Sequence, residues 1–367
     1  MDTYFINQME PLIEEEEKKA VYEYLESGGW ITEYKYTRLF EKMLADYTGA
    51  RYASVVSNGT IALFAALMAC NIKNGDEVIV PDFTMIATAN AVLWAGAKPV
   101  LVDIDESNLC IDINKIEESI SDKTKAIIVV SLNGRCPDMN RILDICNRYN
   151  LWLIEDAAQS LGARWNGKHL GTFGHIGCFS FSAAKIITTG QGGALITDDA
   201  NLFDRISKIR DFGREQTGID KHITLGYNMK FTDIQAVIGI EQMKKLQRRV
   251  ERKKQMYRRY QENLNKIDKI KFVKTDLNDT PPWFIDVLVD DREGLIKYLK
   301  EKGIGTRPFY PAIHTQSPYN NYYQKDKFSV ANQISSKGLW LPSSVFISDK
   351  DIDYICETIK GYYKQRN

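Results

Sequence analysis

Residues 151–159 read Leu-Trp-Leu-Ile-Glu-Asp-Ala-Ala-Gln, an apolar run that ends in two acids. A run that is almost continuously apolar is typical of a strand buried on both faces of a parallel sheet. An acid at the carboxyl end of such a strand lies where ligands bind in open α/β sheets. Asp156 is therefore a candidate binding residue. The alternative is that it caps the start of a helix.

Further apolar runs of this kind alternate with helical patterns in the first two-thirds of the chain. The other runs are 52–56, 77–80, 99–102, 126–130, 178–181 and 194–196, and helical patterns cover 61–69, 87–95 and 139–148. This alternation predicts an α/β fold with a mostly parallel, seven-stranded sheet between helices. We place that large domain, with its N-terminal segment, in residues 1–240.

The rest of the chain, residues 241–367, is expected to hold a linking helix and a smaller C-terminal α/β domain. The predicted elements there are strands at 283–288 and 304–308 and helices at 292–302 and 349–363. A helical, highly charged stretch, 232–265, precedes them. Its segment 242–254 is expected to present a solvated face, and a basic binding surface is the alternative.

Composition narrows the class of protein. The 367 residues include 48 basic and 48 acidic side chains, which gives no electrostatic reason to expect nucleic acid or an anionic membrane as a partner. No apolar run approaches the roughly 18 residues needed to span a bilayer, and the first residues lack a signal-peptide pattern. The six cysteines show neither a CxxC pair nor zinc-ligand spacing. We expect reduced thiols, no metal and a cytoplasmic location.

A candidate anion site follows the first apolar run, in the segment Ser57-Asn58-Gly59-Thr60. This segment opens a helical pattern, and the N–H groups and dipole at a helix start favour an anion such as phosphate. The hydroxyl of Thr60 adds a donor. A plain helix cap with no ligand is the alternative.

Lys185 is a candidate nucleophile, because it stands alone among small and apolar residues in 179–193. Low polarity lowers a lysine pKa and frees the amine. A surface lysine in a flexible loop is the alternative. With Gly59, Thr60 and Asp156, the chain offers a phosphate cradle, an acid for a protonated pyridine nitrogen and a lysine for a Schiff base. Pyridoxal phosphate needs these three groups.

These motifs, in this order, resemble the DegT/DnrJ/EryC1/StrS sugar aminotransferases, a family of the aspartate-aminotransferase fold (fold type I). Further shared motifs are residues 29–32, 75–81, 226–230 and 307–314. The resemblance implies a pyridoxal-phosphate enzyme that moves an amino group from L-glutamate to a nucleotide-linked 4-keto-6-deoxyhexose. The product would be a 4-amino-4,6-dideoxy sugar nucleotide of the perosamine type, for polysaccharide biosynthesis.

The resemblance also assigns the cofactor-binding residues. It implies that Lys185 is the catalytic Schiff-base lysine, that Asp156 pairs with the ring nitrogen and that Gln159 contacts the ring oxygen. Met85 stands at a position where the family often stacks an aromatic residue on the cofactor. The phosphate would be held by Gly59, Thr60 and Ser180, and by Asn228 of the neighbouring subunit.

The contribution of Asn228 from another subunit implies a homodimer with shared active sites. On the substrate side the resemblance points to Trp30, Arg307 and His314, with structural roles left open for the last two. Gln191 stands where a glutamate is usual in the family, which removes a negative charge near the site.

Four other functions are weighed against this one. One alternative is an aminotransferase that acts at C3 of the sugar. Another is a non-catalytic regulatory protein that binds pyridoxal phosphate. A branch of the family that removes a sugar hydroxyl carries histidine in place of Lys185, so the lysine favours transamination. A Rossmann oxidoreductase is excluded because no GxGxxG follows the first predicted strand.

Overall fold

A seven-stranded sheet forms the centre of the N-terminal part in the computed structural model, which describes residues 5–320 and 327–366. The strands of the chain are β1 Tyr52–Val56, β2 Glu77–Pro81, β3 Lys98–Val102, β4 Thr124–Val130, β5 Trp152–Asp156, β6 Arg164–Trp165, β7 Lys168–His169, β8 Ile176–Ser180, β9 Gly193–Thr197, β10 Ile270–Phe272, β11 Ile285–Val289, β12 Arg307–Pro308 and β13 Gly338–Leu341. The large sheet has the order β1-β9-β8-β5-β4-β2-β3. All neighbours in it are parallel except β9, which runs antiparallel to β1 and β8.

Helices cover both faces of this sheet. The helices of the chain are α1 Glu15–Glu26, α2 Lys35–Thr48, α3 Gly59–Ala69, α4 Ala87–Trp94, α5 Met139–Tyr149, α6 Ala200–Arg210, α7 Asp233–Lys244, α8 Leu246–Leu264, α9 Arg292–Glu301, α10 Ser329–Lys337 and α11 Asp349–Lys364. Helices α3 and α4 pack with one apolar cluster and α5 with another. The predicted fold class is confirmed. The strands of this sheet are continuously apolar and need cover on both faces, which the helices supply.

A second, four-stranded antiparallel sheet lies in the C-terminal part, in the order β10-β11-β13-β12. Its apolar side packs against α8, α9 and α11. Ile6, from the N-terminal segment, joins this cluster and bridges to Ile304. The division of the chain into domains 1–240 and 241–367 stays a prediction.

The charged stretch 232–265 differs from its prediction in two ways. It forms two helices, α7 and α8, separated at Lys245, and α7 begins with a capping box between Thr232 and Gln235. The expected solvated face of 242–254 is present, at Lys244, Gln247, Arg248 and Glu251. The other face is buried, and it unexpectedly contains the cations Arg249 and Lys253. Arg249 donates to the carbonyl oxygens of Ile186 (3.1 Å) and Leu12 (3.0 Å).

The alternative of a basic binding surface on this stretch finds no support. Lys245 pairs with Glu17 at 2.9 Å, and Arg248 pairs with Glu14 at 2.6 Å. Acids of the N-terminal segment therefore neutralise these cations within the chain. No helix in the described residues is long and apolar enough to cross a membrane.

Candidate active site

A cavity of about 320 Å³ opens where the carboxyl ends of β5 and β8 meet the start of α3. Residues of the C-terminal part close its other side. Of the residues predicted from the sequence, those lining it are Gly59, Thr60, Met85, Asp156, Gln159, Ser180, Lys185 and Arg307. A volume of this size suits a small-molecule ligand. A larger cavity of about 410 Å³, beside Lys98 and Lys123, contains none of these residues.

The start of α3 forms one wall of the cavity. Asn58 caps the helix by accepting a hydrogen bond from the N–H of Ile61 at 3.0 Å. The first N–H groups of a helix have no partner within it, so those of Gly59 and Thr60 are available to a ligand. A Cβ atom on Gly59 would lie 2.8 Å from the Cβ of Ser180. Glycine therefore lets the helix start approach Ser180, which makes a cradle that suits a phosphate.

Asp156 ends β5 and is buried. Its Oδ2 accepts a hydrogen bond from the hydroxyl of Thr88 (2.7 Å), and its Oδ1 accepts one from the N–H of Ala158 (3.2 Å). Burial raises the pKa of this carboxyl, while the bond from Thr88 and the charge of Lys185 lower it. No helix begins after Asp156, so the helix-cap alternative is wrong.

This carboxyl has no ion pair with any residue that the structure describes. A buried carboxylate is costly without a cation. The side chain of Asp156 therefore fits a cationic ligand group such as a protonated pyridine nitrogen.

Lys185 lies in the connection between β8 and β9, with its side chain in the cavity. Its Nζ is 3.8 Å from the centre of the Trp283 ring. Burial lowers the pKa of the amine to about 8, the charge of Asp156 raises it and that of Arg307 lowers it. Near neutral pH a larger fraction of this amine is unprotonated than in a solvated lysine. More of it can therefore act as a nucleophile or accept a proton. The alternative of a surface lysine does not fit this position.

Gln159 and Met85 complete the part of the cavity near Asp156. The Oε1 of Gln159 accepts a hydrogen bond from the N–H of Asn133 at 2.8 Å, so the amide nitrogen is the group that can donate to a ligand. Met85 follows β2, and 45% of its surface is exposed. Its thioether can contact the face of an aromatic ligand.

Arg307 lies in β12 at the rim of the cavity, with its guanidinium 5.5 Å from the centre of the Trp340 ring. It forms no ion pair with the described residues. His314, in contrast, does not line the cavity. It is buried, its Nδ1 is 2.6 Å from Oδ2 of Asp82, and its N–H donates to Oδ1 of Asp82 at 2.8 Å. This geometry favours the structural role that the sequence left open for His314.

Trp30 and Asn228 also lie outside the cavity of this chain. Both are exposed, Trp30 to 67%. Asn228 pairs through its backbone with Asp211. Since Asn228 is expected to act in the site of a neighbouring subunit, a single chain does not test its role.

Sequence reasoning missed Thr88 and Trp283 as site residues. Thr88 is the second residue of α4, where a hydroxyl has no local reason to face an acid 68 positions later. Trp283 precedes β11, and its indole N–H donates to the carbonyl of Ala184 at 2.6 Å. The sequence pattern placed Trp283 in the predicted strand 283–288 and carried no signal that its ring would reach Lys185. Among the described residues, no cluster of His, Cys, Asp or Glu could hold a metal ion.

The sequence matches the DegT/DnrJ/EryC1/StrS aminotransferase family over residues 11–360. It is 36% identical over 365 residues to the GDP-perosamine synthase of Escherichia coli O157:H7, covering 99% of this chain and 100% of that protein. A DegT DnrJ EryC1 StrS aminotransferase from Brucella abortus has a TM-score of 0.90 at 31% identity, over 95% of both chains. Streptococcus pneumoniae Spr1654 in its PMP form has a TM-score of 0.93 at 26% identity, over 99% of this chain and 98% of that one.

Proposed function

This chain belongs to the DegT/DnrJ/EryC1/StrS aminotransferase family, and we propose that it makes a GDP-linked amino sugar of the perosamine type. It is a pyridoxal-phosphate aminotransferase that acts on a nucleotide sugar. The proposed donor is L-glutamate and the proposed acceptor a GDP-linked 4-keto-6-deoxyhexose, whose product serves polysaccharide biosynthesis. The observation that carries this proposal is the cavity itself, which collects Asp156, Lys185 and the Gly59 cradle in a chain similar to GDP-perosamine synthase over its whole length.

The residues of the cavity fit the cofactor. The N–H groups at the start of α3 and the hydroxyls of Thr60 and Ser180 would hold the phosphate, since charged acceptors form the stronger hydrogen bonds. Asp156 would hold the protonated ring nitrogen, and Gln159 would donate to the ring oxygen. Pyridoxal phosphate, when bound, supplies an electron sink that carries the amino group between the two substrates.

Lys185 has two tasks in this proposal. It binds the cofactor through its amine, and when that amine is free it moves a proton. In the first half-reaction Nζ would take up and return the proton at the α-carbon of glutamate. In the second half-reaction Nζ would move the proton at the sugar carbon that accepts the amino group. A pKa of about 8 suits a group that both accepts and returns a proton near neutral pH.

Arg307 is the proposed substrate-binding residue. Its guanidinium faces the cavity without an ion pair among the described residues, and arginine binds carboxylate and phosphate groups in bidentate fashion. Both the glutamate carboxylate and the diphosphate of the acceptor offer such a group.

A spectral titration tests the function. Protein loaded with pyridoxal phosphate should lose the absorption band of the lysine-bound cofactor on adding L-glutamate, and regain it on adding a GDP-4-keto-6-deoxyhexose. Lys185→Ala should show neither change, whereas Lys168→Ala, an exposed lysine outside the cavity, should behave like wild type. UDP- and dTDP-linked acceptors test the nucleotide. If loaded wild type shows no response to glutamate, the proposed reaction with L-glutamate as donor is wrong.

We also propose a homodimer in which Asn228 completes the phosphate site of the partner. Exposed apolar side chains near this residue and near Trp30 support an interface, because patches of this kind mark contact surfaces. They include Trp30 at 67%, Ile31 at 60%, Tyr34 at 60%, Ile223 at 50% and Leu225 at 65% exposed.

Subunit exchange tests the shared site. Lys185→Ala and Asn228→Ala are each expected to be inactive as pure proteins. In a mixed dimer one site carries both changes and the other carries neither, so an equal mixture should recover about a quarter of wild-type activity. Size-exclusion chromatography confirms that the mixture is dimeric. No recovery after exchange would contradict a shared site.

The cytoplasm remains the proposed location. All six cysteines are free thiols, five of them buried, as is usual in a reducing compartment.

A further inference from the structure

Lys253 is a buried lysine that the proposed reaction does not use. It lies in α8 with none of its surface exposed, and it has no ion pair among the described residues. Its Nζ donates hydrogen bonds to the carbonyl oxygens of Trp283, at 2.7 Å, and Ser343. Burial lowers the pKa of this amine to about 7. Burying a lysine amine costs free energy unless the amine is hydrogen-bonded. The two carbonyl contacts provide those bonds and tie α8 to the segments of Trp283 and Ser343.

The contact with Trp283 fixes the backbone of that residue, which lies two positions before β11 begins at Ile285. The indole is fixed as well, because its N–H donates to the carbonyl of Ala184 at 2.6 Å. The ring of Phe284 stacks on it, with centres 3.8 Å apart. Only 5% of the Trp283 surface is exposed. The ring therefore has a single defined position.

The amine of Lys185 contacts the face of the Trp283 ring that Phe284 leaves free. Nζ lies 3.8 Å from the ring centre, and Phe284 already occupies the other face. The same tryptophan holds the neighbouring backbone through Ala184. It thus contacts the lysine segment at both the side chain and the main chain.

We propose that Trp283 is a positioning residue for the reaction, that its indole face holds the Lys185 amine, and that Lys253 fixes the indole from behind. The inference rests on the proposed role of Lys185. An aromatic face attracts a cation, so the ring favours the amine at the moment when it carries a proton between the two carbon atoms. It also keeps the amine beside the cofactor site when the lysine is not bonded there.

Two substitutions separate this role from plain core packing. Trp283→Leu keeps an apolar side chain but removes the ring face, whereas Trp283→Phe keeps a ring face and loses the bond to Ala184. The charges of Asp156 and Arg307, which also face the amine, are the same in both variants. Thermal melting and cofactor stoichiometry show which variants are folded and loaded.

The first readout is the pH at which the absorption band of the lysine-bound cofactor changes protonation state. Loss of a cation–π contact should lower this midpoint by about half a unit to one unit in Trp283→Leu. Trp283→Phe should keep most of the wild-type midpoint. Lys253→Met, which leaves the Trp283 carbonyl unpaired, should shift it in the same direction as Trp283→Leu by a smaller amount.

The second readout is the deuterium isotope effect on the glutamate half-reaction, measured with α-deuterated glutamate. A misplaced amine slows proton transfer, so the isotope effect should rise in Trp283→Leu and stay near wild type in Trp283→Phe. Suppose that loaded wild type responds to glutamate but Trp283→Leu keeps the wild-type midpoint and isotope effect, as Trp283→Phe does. The positioning role of Trp283 is then overturned and the proposed function stands. If wild type shows no glutamate response, the proposed function fails and this inference fails with it.

Discussion

The properties of Lys185 come from a balance among neighbours at the scale of single residues. Burial lowers its pKa, the carboxylate of Asp156 raises it, and the guanidinium of Arg307 lowers it. The sequence predicted a depressed pKa from the small and apolar residues around the lysine. It could not predict the contribution of Arg307, which lies 122 positions later and meets the amine only in the folded chain.

Changing Arg307 tests this balance. Arg307→Met removes a positive charge near the amine, which favours the protonated lysine and should raise its pKa by roughly half a unit. In cofactor-free protein, labelling of Lys185 by an amine-reactive reagent should therefore be half-maximal at a higher pH than in wild type. Mass spectrometry of the peptide that contains Lys185 measures the labelled fraction.

Arg307→Lys is the matched control, since it keeps the charge and should keep a midpoint close to that of wild type. An unchanged or lower midpoint in Arg307→Met would show that the charge of Arg307 does not reach the amine.

The placement of residues next to strand ends could be predicted from the sequence for a physical reason, while their roles in the site stay predictions. Gly59, Asp156 and Ser180 each sit at or just beyond the end of a buried strand, so the position of the strand determines theirs. Trp283 lines the cavity and Thr88 contacts Asp156 from behind it, and both do so through tertiary contacts that no local pattern encodes.

At the scale of whole elements, burial decides what could be predicted. The strands of the large sheet are apolar along their length, and their predicted bounds lie within a few residues of the observed ones. Helix α8 was harder, because its exposed and buried cations look alike in a sequence. Arg249 and Lys253 are buried only because carbonyl oxygens from distant segments meet them.

Local sequence patterns also could not predict the bounds of short strands whose partners lie far away in the sequence. The predicted strand 304–308 reduces to β12 and to a single bridge between Ile304 and Ile6. The predicted strand 283–288 begins at Ile285 instead, since Trp283 turns toward Lys185 before β11 starts. In both cases the partner that decides the boundary lies elsewhere in the chain.

At the scale of the whole molecule, a buried ion pair joins the two sheets. Arg135 follows β4 of the large sheet, and Asp286 belongs to β11 of the small one. Nη2 of Arg135 and Oδ2 of Asp286 are 2.6 Å apart, with 4% and 1% of the side chains exposed. Arg135 also donates to the carbonyl of Asn108 at 3.0 Å. The pair therefore links the sheet that carries Asp156 to the segment that carries Trp283.

Replacing one partner of this pair should destabilise the protein more than replacing both. Arg135→Met leaves the carboxylate of Asp286 buried without a partner and should lower the free energy of unfolding by about 3–5 kcal/mol. The double change Arg135→Met with Asp286→Leu removes both charges and should recover much of that loss. Urea unfolding followed by circular dichroism measures each value. Arg148→Met, which removes an exposed pair with Glu117, is the control and should change stability little. If the double variant is as unstable as Arg135→Met, the loss comes from the packing and carbonyl contact of Arg135 rather than from an isolated charge, and the ion pair is not what joins the two sheets.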